Sequence, residues 1–358
     1  MTRTAISPRL ATRTFSSGLT FAVAATGVLS LRLACVVRES RAPRRGRAGD
    51  HGHTAPHGRH RREPGLRDYR SSDDDNGRWV GFPFREGDIV ISTRSKSGTT
   101  WMQMICALLV LGTPDLPAPL TTISPWVDHR VEPVADVLAR LEAQRHRRFV
   151  KTHTPLDGLP LDPRATYVVV ARSPLDMAVS LYHQGANIDR RRLRELTGEP
   201  EPTTPGPPRP DLHAWLVAWT ERETTPQESL DSLVGVLHHV TDAWRRREAG
   251  EVDVLLVHYA DLLADLEGEM RRVAAALGIT VVEDRWPALV EAATFASMRA
   301  RSADLTPDTL GVLRSKEAFF RRGGSGAGRE VLSADELARY DARVRALAPP
   351  EVVAWLDR

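Results

Sequence analysis

The sequence predicts an α/β fold in which a central parallel sheet is flanked by helices. Short apolar runs typical of buried parallel strands recur along the chain, helical segments lie between most of them, and polar or basic residues follow where a run ends. Ligands bind at the carboxyl ends of the strands in open parallel sheets, so those polar residues are candidates for a functional site. The predicted strands comprise residues 88–93, 149–152, 166–171 and 252–257.

The composition is that of an ordinary globular protein. The chain has 358 residues, of which 41% are hydrophobic, and can bury one large core or two modest ones. Its two cysteines, Cys35 and Cys106, give no disulfide framework, which suits a reducing compartment. No Cys/His cluster has the spacing of a metal site, so we expect no metal. We therefore expect a cytoplasmic protein.

Charge is distributed unevenly along the chain. Residues 1–67 contain 13 Arg, no Lys and three acidic residues, which gives +10, so the remaining residues carry −7 of the total of +3. Residues 41–67 are rich in Arg, Gly, His and Pro with little to bury, which predicts disorder. We therefore divide the chain into a basic N-terminal extension, residues 1–67, and a folded domain, residues 68–358.

The apolar stretch at residues 15–37 leaves the role of this extension open. Arg3, Arg9 and Arg13 could form the basic region of a signal peptide, but Arg32 interrupts the run and no clear cleavage site follows. A basic tail can also contact nucleic acid or an anionic membrane, and a start codon upstream of the true one would equally explain the stretch. We expect neither membrane anchoring nor nucleic-acid binding.

Residues 88–110 combine a strand, a small-residue loop and a helix without a gap. The β-branched run 88–93 is followed by the loop 94–100 and by an apolar helix, residues 101–110. This order delivers backbone N–H groups and a helix N-terminus to an anion. A solvated turn is the alternative interpretation of the loop alone. The predicted phosphate-binding residues of the loop are Lys96, Ser97, Gly98, Thr99 and Thr100.

This loop differs from the common P-loop, in which Lys follows the second Gly, because Lys96 precedes Gly98. The segment K-S-G-T-T-W instead resembles the phosphosulfate loop of the cytosolic-type sulfotransferase family, and the chain is similar to a bacterial member of it. The resemblance implies a P-loop-NTPase-like, three-layer fold. It also implies sulfonyl transfer from 3′-phosphoadenosine-5′-phosphosulfate (PAPS) to a hydroxyl or amine, with the 3′,5′-bisphosphate PAP as product. It extends from about residue 68 to the C-terminus.

A second segment, F-V-K-T-H-T-P-L at residues 149–156, places Lys151 and His153 at the end of a short strand. It resembles the family segment that carries the catalytic base. The resemblance implies that His153 takes the acceptor proton and that Lys151 neutralises the sulfonyl oxygens. A lone histidine is more often structural than catalytic, and its position at a strand end is what favours the catalytic interpretation.

A third segment follows the apolar run T-Y-V-V-V-A at residues 166–171. Its R-S-P triplet places Pro174 in the first turn of a predicted helix. The pattern R-x-P-x-D-x-x-x-S resembles the family segment for the 3′-phosphate, which implies that Arg172 and Ser180 reach that phosphate. The resemblance also implies that Ser180 holds Lys96 aside until both ligands are bound. Alternatively, Arg172 caps a surface helix and Ser180 only packs.

The remaining family motifs concern the nucleotide. The fourth predicted strand ends at a nucleotide-contacting Tyr of the family, here Tyr259. A-T-F-x-x-M resembles the adenine clamp, in which Trp101 and Phe295 lie on opposite faces of the base, although core packing is the alternative for Phe295. F-F-R-R-G resembles the mobile basic loop that closes on the 3′-phosphate. Besides Tyr259, the resemblance assigns to nucleotide binding Trp101, Thr294, Phe295, Met298, Arg321, Arg322 and Gly323.

The acceptor side of the site is less well defined. Residues 185–227 are polar and Pro-rich, which indicates a loop over the acceptor pocket. Trp79, Phe82 and Trp126 are the aromatic residues expected to line that pocket. Phenols, steroids, lipids, glycans and amines all stay open as acceptors. The other predicted helices comprise residues 131–146, 213–220, 230–249, 262–277 and 334–347.

The end of the chain departs from the family pattern. The dimer motif K-x-x-x-T-V-x-x-x-E is not kept, because Arg329, Ser333, Ala334 and Ala338 stand at its positions. The oligomeric state therefore stays open.

These segments together predict an enzyme that moves a sulfonyl group by in-line transfer to a small-molecule acceptor. His153 is the predicted general base, and Lys96 is predicted to stabilise charge on the bridging oxygen. Two alternatives stay open. A P-loop kinase would need Mg²⁺ and a strand-end Asp, whereas the predicted strand ends carry Lys151, Arg172 and Tyr259. A non-catalytic PAP-binding scaffold would need neither the lysine nor the imidazole.

Overall fold

The computed structural model describes residues 65–71, 74–130, 132–197, 200–201, 208–308 and 310–358. The predicted extension, residues 1–67, lies outside the described residues except for its last three, and so does the apolar stretch 15–37. Arg67, the last residue of the extension, donates its backbone N–H to Asp157 O (2.9 Å) and forms an ion pair with the Asp157 carboxylate (3.1 Å).

Four parallel strands form the central sheet, and they lie within one or two residues of the predicted positions. They are β1 (Ile89–Thr93), β2 (Phe149–Thr152), β3 (Thr166–Ala171) and β4 (Asp253–His258). The strand order is β2-β1-β3-β4. The chain passes from β1 to β2 on one side and then to β3 on the other side of β1. A crevice for ligands forms at such a reversal of order, outside the carboxyl ends of the strands.

Helices connect and cover these strands. In the described part of the chain they are α1 (Thr99–Leu111), α2 (Leu120–Ile123), α3 (Val134–Ala143), α4 (Pro174–Asn187), α5 (Arg190–Thr197), α6 (Leu212–Glu221), α7 (Leu233–Ala249), α8 (Tyr259–Ala264), α9 (Leu266–Ala276), α10 (Trp286–Ala293), α11 (Phe295–Ala300), α12 (Ser302–Leu305), α13 (Lys316–Phe319), α14 (Ala334–Leu347) and α15 (Pro350–Leu356).

The sheet has a hydrophobic layer on each face. Side chains alternate between the two faces along a strand, so in β1 Val90 packs into one core cluster while Ile89 and Ile91 pack into the other. Helices α7, α14 and α15 contribute to the cluster of Val90, and α1, α9 and α10 contribute to the cluster of Ile89 and Ile91. The result is the predicted three-layer α/β/α architecture.

Several helical segments differ from the prediction. Helix α5 lies inside the predicted loop 185–227. It was not predicted because its sequence RRRLRELT is rich in arginine and has only two large apolar residues. The predicted helix 262–277 divides into α8 and α9 at Asp265, whose carboxylate caps α9 by accepting from Gly268 N–H (2.8 Å). Helix α15 was not predicted. Within the described ranges, no helix has the length and apolarity needed to span a bilayer.

Candidate active site

A large cavity opens at the carboxyl ends of the strands. Its volume is about 1290 Å³. Lys96 follows β1, His153 follows β2, Arg172 follows β3 and Tyr259 follows β4, and all four side chains line the cavity. The parallel arrangement of the strands therefore gathers three basic residues and a tyrosine, which lie far apart in the sequence, into one crevice.

The loop after β1 has an unusual backbone. Lys96 has φ = 64° and Gly98 has φ = 104°, both in the left-handed region that residues with a Cβ avoid. A Cβ at Gly98 would lie 2.9 Å from the Tyr259 ring, so the close approach of Tyr259 requires glycine. Gly98 is the N-cap of α1 and offers no side-chain cap to its first-turn N–H groups. With Thr99 and Thr100 also lining the cavity, this turn can supply N–H donors to an anion.

The half-buried Lys96 places its ammonium between two groups. It donates a hydrogen bond to Gln184 Oε1 (3.5 Å) and lies 3.8 Å from the centroid of the Phe319 ring. Burial, with the nearby charges of Arg172, Lys151 and Arg321, lowers the pKa of Lys96 to about 7. An anion bound beside Lys96 would therefore stabilise its charged form.

Ser180 lies one turn before Gln184 on α4 and also lines the cavity. The resemblance to the family implied that Ser180 restrains Lys96, but the hydrogen bond of the ammonium goes to Gln184. Gln184 is a residue that the family motif did not single out.

His153 is held in one tautomer. Its Nδ1 lies 2.6 Å from Thr93 O, and because a carbonyl only accepts, Nδ1 must carry the proton. The lone pair is therefore on Nε2. Burial and the charges of Lys151 and Arg94 place the pKa of His153 well below its usual value, so the ring is neutral at neutral pH. A neutral imidazole with a free lone pair on Nε2 is suited to accept a proton.

Arg94 is a buried residue that was not among the predicted site residues. Its guanidinium donates to the backbone oxygens of His153 and Leu230 and forms a 2.7 Å ion pair with Asp231. These bonds fix the carbonyl of His153 to the end of β1. The sequence offered one signal, since Arg94 directly follows β1 in the loop that carries Lys96.

Trp126 lies between two partners on opposite faces of its indole. The Lys151 ammonium is 3.7 Å from the ring centroid, and the His129 imidazole stacks on the ring at 4.1 Å with an interplanar angle of 8°. Two groups this close to one centroid cannot share a face. His153 approaches the same indole edge-on at 4.7 Å. Burial lowers the pKa of Lys151 to about 8 and that of His129 to about 3.

Arg172 lies over Tyr259, with Cζ 4.4 Å from the ring centroid. Its Nη2 donates to Gly324 O (2.5 Å), and its buried Nε has no hydrogen-bond partner in the described part of the chain. A buried guanidinium nitrogen without an acceptor is costly, and an anion in the cavity would satisfy it.

Asp176, on the first turn of α4, holds the segment that follows the basic loop. Its two carboxylate oxygens accept the backbone N–H groups of Gly326 and Gly328, both at 2.8 Å. The motif R-x-P-x-D contains this residue, but the local sequence indicates no role for it. Asp176 fixes the exit of the loop that carries Arg321 and Arg322, both of which line the cavity.

The predicted aromatic clamp lies at the side of the cavity. Trp101 donates its indole N–H to Ala293 O (2.8 Å), two residues before Phe295, and both rings line the cavity together with Met298. Gly323 packs against Phe295 so closely that a Cβ would collide with the ring. The structure thus gathers Trp101, Phe295, Met298 and Gly323 into one wall.

Two predicted nucleotide-binding residues do not line the cavity. Thr294 is the N-cap of α11, where its hydroxyl accepts from Ser297 N–H (3.2 Å) and donates to Glu291 O (2.9 Å). Ser97 is buried, with its N–H on Arg94 O (3.2 Å). The side chains of Thr294 and Ser97 therefore do not face a ligand in the cavity.

Two of the three predicted acceptor-pocket aromatics are placed elsewhere. Trp79 and Phe82 are buried in the core cluster of Val90, with ring centroids 4.7 Å apart, so their prediction as pocket residues was wrong. Large aromatic side chains before the first strand had a core to fill. Trp126 does line the cavity. The apolar lining comes instead from α4, α5 and a later segment, and includes Leu181, Leu193, Val312 and Leu313.

The fold and this crevice define an enzyme of the kind that transfers a group from an anionic nucleotide donor. The family model described as the sulfotransferase domain matches residues 86–349, and the chain belongs to the sulfotransferase family. The chain is therefore a sulfotransferase, as predicted from its motifs.

Curated relatives agree with this assignment, and solved structures share the fold. A glycolipid sulfotransferase from Mycobacterium bovis is 43% identical over 305 residues, 80% of this chain and 93% of the relative. Human sulfotransferase 2B1 is 27% identical over 270 residues, 73% of this chain and 66% of the relative. The structure is similar to that of retinol dehydratase in complex with retinol and PAP, with a TM-score of 0.56 and 20% identity over 75% of this chain and 83% of that one. A mouse sulfotransferase complexed with PAP gives a TM-score of 0.57 and 17% identity over 78% and 91%.

Proposed function

We propose that this sulfotransferase uses PAPS as its donor and sulfonates a hydroxyl of an amphipathic, lipid-like acceptor with a hydroxylated head, a glycolipid being the leading class. The observation that carries the proposal is the convergence of Lys96, His153 and Arg172 on one cavity whose far wall is apolar. The relatives that are 43% identical are named glycolipid sulfotransferases, and the neighbouring structures hold PAP.

The cavity has two parts under this proposal. The donor half comprises residues 96–101, Arg172, Ser180, Tyr259, Phe295, Met298 and residues 321–323. The acceptor half comprises Trp126, His129, Lys151, His153 and the apolar side chains between residues 181 and 196 and between 307 and 313.

Donor binding uses basic side chains for which the described residues provide no ion-pair partner. Backbone N–H groups of Gly98, Thr99 and Thr100 hold the 5′-phosphate, and Ser97, whose own N–H donates to Arg94 O, contributes by shaping this turn. Arg172 and Ser180 hold the 3′-phosphate, and Arg321, Arg322 and the backbone at Gly323 close on it. Trp101 and Phe295 stack on the adenine beside Met298 and Tyr259. Thr294 positions Phe295 by capping α11.

The transfer step follows from the charges around the acceptor half. His153 Nε2 takes the proton of the acceptor hydroxyl as that oxygen forms a bond to sulfur, and the bond from sulfur to the 5′-phosphate oxygen breaks. Lys96 stabilises the negative charge that develops on this leaving oxygen, and Lys151 stabilises the sulfonyl oxygens. The products are a sulfate ester and PAP, with the proton left on His153. Transfer needs no metal, because the leaving group is already a good one.

Lys96 is restrained before the donor binds. Gln184 and Phe319 hold its ammonium, and Ser180 can take over this role once the 3′-phosphate is in place. Trp126 acts as a positioning residue, since its two faces fix Lys151 and His129 beside His153.

The acceptor class follows from the lining. Leu181, Leu193, Val312 and Leu313 present an apolar wall that suits an alkyl or acyl chain. Thr154 and Arg130 offer polar contacts to a hydroxylated head near His153. We further propose that residues 68–358 form the catalytic domain, that residues 1–67 are an extension outside it, and that the enzyme acts in the cytoplasm.

The test is a transfer assay with the full chain, sulfur-labelled PAPS and matched acceptors: a glycolipid, its free sugar head, a sterol and a phenol. Label is expected on the glycolipid, with weaker transfer to the free sugar, and EDTA should leave the rate unchanged. Transfer from ATP instead of PAPS would contradict the donor, and equal transfer to the free sugar would contradict the acceptor class.

A further inference from the structure

One edge of the cavity is built from two segments that are tied together. Asp189 donates its backbone N–H to Val312 O (2.7 Å), and Arg314 donates its backbone N–H to Asn187 O (2.8 Å). Ile188 and Leu313 form an isolated antiparallel bridge. We call residues 189–196 and 310–314 the rim. These backbone bonds make the rim one continuous surface at the mouth of the cavity.

The rim exposes large apolar side chains. Five large hydrophobic residues are exposed in the described part of the chain, and two of them, Leu196 (37%) and Leu310 (38%), lie on the rim. Both also line the cavity, as does Leu193 on the same helix. The apolar wall of the cavity therefore continues outward to solvent, and such continuity marks an interaction surface.

The rim is basic although its domain is acidic. It carries Arg190, Arg191, Arg192, Arg194 and Arg314 against Asp189 and Glu195, a net charge of +3, whereas residues 68–358 carry −7. The ion pairs that Glu195 makes are long and exposed, at 3.5 Å to Arg192 and 3.9 Å to Arg191. Such surface pairs are weak, so Arg191 and Arg192 keep most of their attraction for other anions, while Arg194 pairs more closely with Glu201 (2.7 Å).

We propose that the rim docks on the surface of an anionic bilayer, with Leu196 and Leu310 among the headgroups and the arginines on lipid phosphates. A helix with arginines around an apolar edge has the pattern of an interfacial helix. Docking would place the mouth of the cavity at the depth where acyl chains begin, so that a lipid acceptor passes from the bilayer onto the apolar wall. That last step rests on the proposed acceptor class, whereas docking itself does not.

The experiment measures flotation of the full chain with vesicles of phosphatidylcholine, with and without phosphatidylglycerol. Three proteins are compared: wild type, Arg190→Glu with Arg191→Glu, and a control with Arg245→Glu and Arg247→Glu. The control residues are exposed near the end of α7, close to the amino end of β4 and so away from the cavity. Their substitution changes the charge by the same amount. All three proteins retain the basic residues 1–67, so attraction by that segment is common to them.

The rim variant is expected to bind phosphatidylglycerol vesicles about tenfold or more weakly than the control, because each basic residue at an anionic surface adds a several-fold factor. It should sulfonate a short-chain, water-soluble acceptor at the wild-type rate, and lose rate only on vesicle-embedded acceptor. Equal binding by the rim variant and the control would overturn the proposal, as would a change in oligomeric state without a change in binding. Failure to use PAPS at all would instead defeat the proposed function and leave the flotation result intact.

Discussion

The two halves of the cavity are held in place by different parts of the fold. The donor half is built on strand ends and on the loop after β1, where hydrogen bonds of the sheet and left-handed backbone at Lys96 and Gly98 leave little choice of position. The acceptor half combines Lys151 and His153, at the end of β2, with an apolar wall from helix α5 and the segment near residue 312. Donor binding is therefore expected to depend on the first half, proton transfer on His153 after β2, and acceptor choice on the apolar wall.

The largest expected effect separates chemistry from binding. His153→Ala should lower kcat by about a hundredfold to ten-thousandfold, because it removes the general base, while the affinity for PAP stays within about twofold. Steady-state kinetics and calorimetry measure the two quantities. His146→Ala is the matched control, because His146 lies before the opposite end of β2. A His153→Ala enzyme that keeps near-full turnover would remove this residue from the mechanism.

The next effect tests the donor half alone. Arg172→Ala should weaken PAP binding by about 2 kcal/mol, roughly thirtyfold, since a charge-assisted contact to phosphate is lost. Arg172→Lys keeps the charge without the planar guanidinium, so its affinity for PAP should lie between those of wild type and Arg172→Ala. Calorimetry with PAP gives the affinities. Unchanged affinity in Arg172→Ala would show that this guanidinium does not hold the nucleotide.

A smaller effect is expected in the acceptor half. Leu193→Ala removes part of the apolar wall and should raise KM for a lipid acceptor by about tenfold, because three buried carbons are lost from the contact. KM for PAPS should stay the same, which distinguishes this variant from those of the donor half. If KM for PAPS rose in parallel, the two halves would not be separate.

The smallest expected effect is the proton uptake that accompanies binding of an anionic ligand. The pKa of Lys96 is lowered to about 7 by burial and by neighbouring cations, so the free enzyme has largely lost this proton at pH 8. An anionic ligand favours the charged form and raises that pKa, so binding takes up a proton. Calorimetry in buffers of different ionisation enthalpy should show about half a proton to one proton more uptake at pH 8 for wild type than for Lys96→Met.

The difference in proton uptake between wild type and Lys96→Met should vanish at pH 6, where Lys96 is protonated before and after binding. An uptake at pH 8 that Lys96→Met leaves unchanged would assign the proton to another group, of which Lys151, with a pKa of about 8, is the first candidate.

The same division explains what could be predicted from the sequence. The four strands and the residues at their ends were predictable, because β-branched runs and strand-end motifs are local signals. The role of Asp176 was not, since its hydrogen bonds reach Gly326 and Gly328, which lie 150 and 152 residues further along the chain. Helix α5 was not predicted because two leucines among mostly basic residues are too few to show a helical spacing.

The errors in the acceptor half have the same cause. Trp79 and Phe82 were expected in the pocket on residue type alone, and burial in the core decided their place instead. Arg94 was overlooked because nothing local in the sequence shows that it bonds to the carbonyl of His153.

The most direct test of the central claim is a structure of the enzyme with PAP bound. The account predicts the 3′-phosphate about 3 Å from the Arg172 guanidinium, the 5′-phosphate on the first-turn N–H groups of α1, and His153 Nε2 facing the open acceptor half. PAP bound elsewhere, or phosphates that leave Arg172 on Gly324 without contacting it, would contradict the account.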